Sequence, residues 1–123
     1  MNKEKKVILI VDDSLLLAER LIDMLKNMKN VDSIKHAGTY AEAMVLLQKI
    51  NLHIVFLDIN LPDKSGIELL SSIKKNYPDI IVIMFTNQAS DYYRKLCMKR
   101  GANYFIDKSK DFELIPEIIS SLK

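Results

Sequence analysis

A doubly wound α/β fold on a five-stranded parallel sheet is predicted by three features of the sequence. Apolar runs of strand length alternate with longer segments of helical period, the pattern of repeated β-α-β units. The third and fourth runs, HIVFL and IIVIMF, are nearly continuous in apolar residues, as strands covered by helices on both faces should be. Four of the runs end in polar residues: Asp12 and Asp13 after VILIV, Asp58 after HIVFL, Thr86 after IIVIMF, and Lys108 after YFID. Ligands of an open parallel sheet bind outside the carboxyl ends of its strands, so these residues would converge in space. With right-handed crossovers, the order 2-1-3-4-5 puts the ligand crevice between strands 1 and 3, the two that end in carboxylates.

The first strand is expected over residues 7–11, and Ser14 can cap a helix carrying Leu17, Leu21, Leu25 and Met28 on one face. A second strand over 33–37 leads to Thr39, the cap of a helix carrying Ala43, Met44 and Leu47. The third strand, over 54–57, precedes a helix that begins near Gly66, presents Ile67, Leu70, Ile73 and Tyr77, and is stopped by Pro78. A fourth strand over 80–85 is followed by a helix from a cap at Ser90 to a stop at Gly101. The fifth strand, over 104–106, leads to a segment carrying Phe112, Ile115, Ile119 and Leu122. Pro116 either lies in the first turn of this last helix or kinks it.

A chain of 123 residues is long enough for one full hydrophobic core, and a single domain is expected over residues 1–123. The composition, 28% charged and 49% hydrophobic, is that of a soluble globular protein. No apolar run approaches the length of a membrane span, and MNKEKK lacks the apolar core of a secretory signal, so a cytoplasmic location without membrane contact is expected. A net charge of +2 with scattered Lys and Arg gives no indication of nucleic-acid binding. Cys97 has no partner for an intramolecular disulfide and reads as a partly buried packing thiol. His36 and His53 lack a second ligand at metal spacing and read as structural histidines.

Crowded carboxylates repel one another unless a cation joins them, and oxygen ligands suit a hard divalent ion such as Mg²⁺, with Mn²⁺ as the alternative. Asp13 and Asp58 are the expected direct ligands, with Asp12 binding directly or through water and the Asn60 backbone carbonyl completing the protein share. Lys108 adds an ammonium and Thr86 a hydroxyl. A metal, an ammonium and a hydroxyl around one carboxylate suit a phosphoryl group, whose oxygens need neutralisation and positioning, with Asp58 as nucleophile.

From VILIVDDS through HIVFLDINLPDKSGIELL and VIMFTN to GANYFIDKS, the sequence resembles a response-regulator receiver domain, the phospho-acceptor module of two-component signalling. The resemblance covers essentially the whole chain and implies a flavodoxin-like (βα)5 fold of chemotaxis-regulator type. It maps the acidic pair onto Asp12 and Asp13, the phosphorylated residue onto Asp58, and the switch hydroxyl and lysine onto Thr86 and Lys108. A sensor histidine kinase or histidine phosphotransfer protein would donate the phosphoryl group in a Mg²⁺-dependent step that the domain itself catalyses, together with autodephosphorylation, without being a conventional enzyme. Thr86 and Lys108 would then approach the phosphate, Phe105 would rotate inward, and the face of helix 4, strand 5 and helix 5 would change shape toward a downstream protein target. Helices 4 and 5 are also a candidate surface for a homodimer.

The sequence departs from the family pattern at several positions. Ser109 follows Lys108 where proline is usual, Asn87 is larger than the customary small residue after Thr86, and Phe105 lacks a tyrosine hydroxyl. Asn60 and Gln88 occupy the positions that tune hydrolysis of the phosphoryl group. Arg94, Lys95, Lys99 and Arg100 make helix 4 basic, either as a docking face for an acidic partner or as an ordinary solvated surface. One competing function is a receiver-like interaction module that works without phosphorylation, and retention of all five site residues weighs against it. Another is a phosphatase of the aspartyl-phosphate type, which would need a second acid where Asn60 stands.

Overall fold

A computed structural model describes residues 5–122. Its elements are β1 (Lys6–Val11), α1 (Leu15–Leu25), β2 (Val31–Ala37), α2 (Tyr40–Lys49), β3 (Ile54–Leu57), α3 (Gly66–Asn76), β4 (Ile81–Thr86), α4 (Asp91–Lys99), β5 (Tyr104–Asp107), a 3₁₀ turn (Phe112–Leu114) and α5 (Ile115–Ser121). The five strands are parallel in the order β2-β1-β3-β4-β5, as the alternation predicted.

Period-two alternation along the strands sorts their side chains into two cores. Ile8, Ile10, Ile54, Phe56, Ile83, Phe85 and Ile106 pack with Ala18, Leu21 and Leu25 of α1 and Ile115 and Ile119 of α5. The opposite set, including Leu9, Val11, Val55, Leu57, Val82, Met84 and Phe105, packs with Ala43, Leu47, Leu69, Leu70, Ile73 and Cys97 of α2, α3 and α4. Two-sided burial explains why β3 reads IVFL with every residue buried. No helix among the described residues is long and apolar enough to cross a membrane.

The predicted caps form: Ser14, Thr39 and Ser90 accept hydrogen bonds from the N–H groups of Leu17, Glu42 and Tyr93. Ser65, one residue before Gly66, caps α3 through the Ile67 N–H. Pro116 sits in the first turn of α5, which begins late after the 3₁₀ turn, so no kink is needed. The fourth helix ends at Lys99, with Gly101 just beyond it at φ 105°.

Several boundaries differ from the sequence reading. Strand β2 starts two residues earlier than expected, because its pairing with β1 opens at Lys6 opposite Val31 and skips a residue before Val7 meets Ser33. Asp32 and Lys35 point to solvent on this edge strand and mask its apolar alternation. Met28 lies past the end of α1, in a turn that donates its N–H to the Leu25 carbonyl, yet still packs against the α1–α5 core. Cys97 is fully buried, not partly so, because the α4 face that carries it lies on the sheet.

Candidate functional site

Three of the site residues lie one step past the end of a strand, and each is held by its main chain to the neighbouring strand. The Asp12 N–H donates to the Ala37 carbonyl (3.0 Å), the Asp58 N–H to Val11 (3.1 Å) and the Lys108 N–H to Thr86 (3.1 Å). The ladder thus continues for one residue after the strand ends, which fixes the backbone and leaves the side chain at the sheet's carboxyl edge.

Carboxylate oxygens of Asp12, Asp13 and Asp58 all lie within 4.8 Å of one another. Asp12 and Asp58 are buried and Asp13 is exposed. The Lys108 ammonium bridges the two buried acids, 2.7 Å from Asp12 Oδ2 and 2.8 Å from Asp58 Oδ2. Burial by itself would lower the Lys108 pKa, but hydrogen bonds and charge from Asp12 and Asp58 outweigh it and hold the ammonium above its ordinary value. Asp12 Oδ1 accepts from the Ser14 N–H at 2.8 Å, and Asp58 Oδ1 accepts a long 3.4 Å bond from the Asn60 N–H.

One ammonium against three carboxylates leaves two negative charges unbalanced. Asp12 Oδ2 is buried, and the Lys108 ammonium that it shares with Asp58 is its one partner among the described residues, at 2.7 Å. Both observations fit an oxygen-rich site for a divalent cation, with one acid open to solvent as an entry side.

Thr86 ends β4, which neighbours β3, and is fully buried. Its hydroxyl accepts from the Gln88 N–H at 3.0 Å. Asn60 and Gln88 are exposed, on the loops that follow β3 and β4. Phe105 is already buried, with the Arg94 guanidinium 4.8 Å above its ring and donating to its carbonyl at 3.3 Å. Ser109, in place of proline, donates its N–H and Oγ to Asp107 Oδ1 at 2.9 and 2.7 Å, closing the turn around Lys108. Those bonds, the Ser109 hydroxyl first, hold the Asp107 carboxyl below its usual range.

Both histidines contact main chain: His36 Nε2 lies 2.7 Å from the Asp12 carbonyl and His53 Nδ1 accepts from the Val7 N–H at 3.0 Å. Of the four basic residues on α4 and its C-cap, Arg94 is engaged by Phe105 and Arg100 by the Ser71 hydroxyl. The sequence reading missed Arg94 as a neighbour of Phe105, and it missed Asp63, which accepts from the first two N–H groups of α2. Neither carries a local signal, since each partner lies in another element.

A 2-1-3-4-5 parallel sheet with an acid triad and a lysine at its carboxyl edge defines the receiver class of phosphorelay proteins. The chain belongs to the response regulator receiver domain family, whose model matches residues 8–120. It is 36% identical to the protein-glutamate methylesterase/protein-glutamine glutaminase of Clostridium acetobutylicum, with 90% of this chain and 33% of that protein covered. It is 31% identical to the DNA-binding transcriptional activator DevR/DosR of Mycobacterium tuberculosis, over 87% of this chain and 50% of that protein. The chain therefore spans a third to a half of these curated relatives. Among solved structures it resembles the response regulator TrrA of Thermotoga maritima in complex with Mg²⁺-BeF, at 30% identity and a TM-score of 0.82, over 96% of this chain and 99% of that one.

Proposed function

We propose that the domain accepts a phosphoryl group on Asp58 from a phosphohistidine of a sensor kinase or phosphotransfer protein. The observation that carries this reading is the Lys108 ammonium held between the Asp12 and Asp58 carboxylates, beside a third acid. An Asp58 oxygen attacks phosphorus, the O–P bond forms as the N–P bond breaks, and the leaving imidazole nitrogen takes up a proton. Lys108 would balance charge on the transferring group, and Thr86, whose hydroxyl oxygen accepts from the Gln88 N–H, would donate its O–H to it. Asp12, Asp13, Asp58 and the Asn60 carbonyl would hold Mg²⁺, which when bound supplies the positive charge that phosphoryl oxygens need. Asn60 and Gln88, exposed on the flanking loops, would tune hydrolysis of the acyl phosphate.

Output is proposed through α4, β5 and α5, to a downstream protein or a second copy of the domain. Phosphorylation would draw Thr86 toward the site and stabilise the buried Phe105 ring. Intact mass after incubation with acetyl phosphate and Mg²⁺ tests the reading. Wild type is expected to gain one phosphoryl group, whereas Asp58→Asn and a metal-free control gain none. A folded wild type that stays unmodified would favour the phosphorylation-independent interaction module.

A further inference from the structure

We infer that Asp63 is a positioning residue for the cation site, clamping the tip of the loop after Asp58 onto the first turn of α2 and so fixing the Asn60 carbonyl. The inference rests on the cation-site reading above.

The first N–H groups of a helix have no partner within it. In α2 the N–H of Glu42 is met locally by the Thr39 hydroxyl at 3.0 Å. Those of Tyr40 and Ala41 are met from another element, by Asp63 Oδ1 at 2.9 Å and Oδ2 at 3.1 Å, across 23 and 22 residues of sequence. Asp63 Oδ1 also accepts from the Lys64 N–H at 3.1 Å, so a single carboxylate ties its own turn to the helix. The Lys64 ammonium stacks 4.8 Å over the Tyr40 ring, a second contact between the same two segments. The backbone N–H bonds to it, that of Tyr40 foremost, hold the Asp63 carboxyl below its ordinary value.

The loop is equally constrained at its base. Gly66 donates to the Ile59 carbonyl at 2.7 Å, and Asn60 pairs with Ser65 in an antiparallel bridge. Asn60 belongs to this closed base, three residues before the Asp63 tip, is exposed, and donates its N–H to Asp58 Oδ1 in the long 3.4 Å bond. The placement of its carbonyl therefore depends on the loop as a body, and Asp63 is the residue that docks that body on its neighbour. Thr39 already gives α2 a cap of its own, so the remote carboxylate does more for the loop than for the helix.

Mg²⁺ titration calorimetry of wild type, Asp63→Ala, Asp63→Asn and Thr39→Ala tests this, with amide spectra recorded on the same samples. Wild type binds Mg²⁺, and Asp63→Ala is expected to bind roughly 10-fold more weakly, the lower end of what losing an outer-shell partner costs. The Asn60 amide resonance of Asp63→Ala should broaden, while resonances from β1 and β3 stay dispersed. Asp63→Asn, which keeps the shape and one acceptor, should lose less. Thr39→Ala, which weakens the same helix end without touching the loop, should keep the wild-type affinity. Equal affinities in Asp63→Ala and wild type would overturn the inference, as would an equal loss in Thr39→Ala, which would assign the effect to α2 stability. A wild type that does not bind Mg²⁺ would overturn the cation-site reading and this inference with it.

Discussion

The Lys108 ammonium is buried between the Asp12 and Asp58 carboxylates. The Lys108 side chain is 10% exposed, and those of Asp12 and Asp58 are 3% and 8% exposed. Its raised pKa means that its contribution to stability is complete below the unfolded-state value of 10.5 and is lost as pH rises through the higher folded value. Across the physiological range it stays charged. Lys108→Ala would leave three carboxylates without a counter-charge. Removing one partner of a buried pair costs roughly 3–5 kcal/mol, and the exposure of Asp13 to water places this case near the lower end. Urea denaturation is expected to show that loss in metal-free buffer, and added Mg²⁺ should restore more stability to the variant than it adds to wild type. Equal Mg²⁺ responses would argue against Lys108 and the cation sharing one charge site. At this scale the meeting of Asp12, Asp13, Asp58 and Lys108 was legible in the sequence because strand ends converge in any parallel sheet. That Lys108 pairs with Asp58 across 50 residues was not.

Helix α3 docks on the end of β3 more closely than any side chain would allow. A Cβ on Gly66 would lie 1.8 Å from the Asp58 carbonyl oxygen, 2.8 Å from its carbon and 3.0 Å from Ile59 Cα, all backbone atoms that cannot rotate away. Gly66→Ala must therefore push α3 off β3 or displace Asp58 itself. Overpacking typically costs about 1–3 kcal/mol, and a contact with rigid backbone belongs at or above the top of that range. Chemical denaturation should show the loss, and phosphorylation by acetyl phosphate should slow in whatever fraction remains folded; wild-type stability and rate together would refute the close approach. The element-scale comparison with the sequence follows from range. Ser14, Thr39 and Ser90 announced their helices because each cap bond spans three residues. Asp63 caps α2 from outside its segment, so no window along the chain could reveal it. The start of β2 was misjudged because an edge strand that turns Asp32 and Lys35 to water loses the alternation that marks a strand.

The whole molecule is a sheet between two apolar layers, and Cys97 reports on one of them. Its thiol is fully buried in the α2–α4 layer, and burial pushes its pKa up, with Arg100 countering only in part. Alkylation in native buffer should be slower than in urea by a factor on the order of 10³ or more if exposure requires global unfolding. Labelling should then rise with denaturant in step with the loss of circular dichroism. Fast labelling under native conditions would instead mean that α4 opens locally, which would bear on its proposed part in output. By itself the sequence determined the alternating β-α order, the sheet type, the caps and the polar residues at the strand ends. Each of those depends on periodicity or on bonds within a few residues, and a linear string records them directly. The tertiary structure decided that Lys108 bridges Asp12 and Asp58, that Arg94 covers Phe105, that Asp63 holds the loop to α2, and that only glycine fits beneath Asp58. Those pairings join segments that meet only once the sheet has set their distance and register.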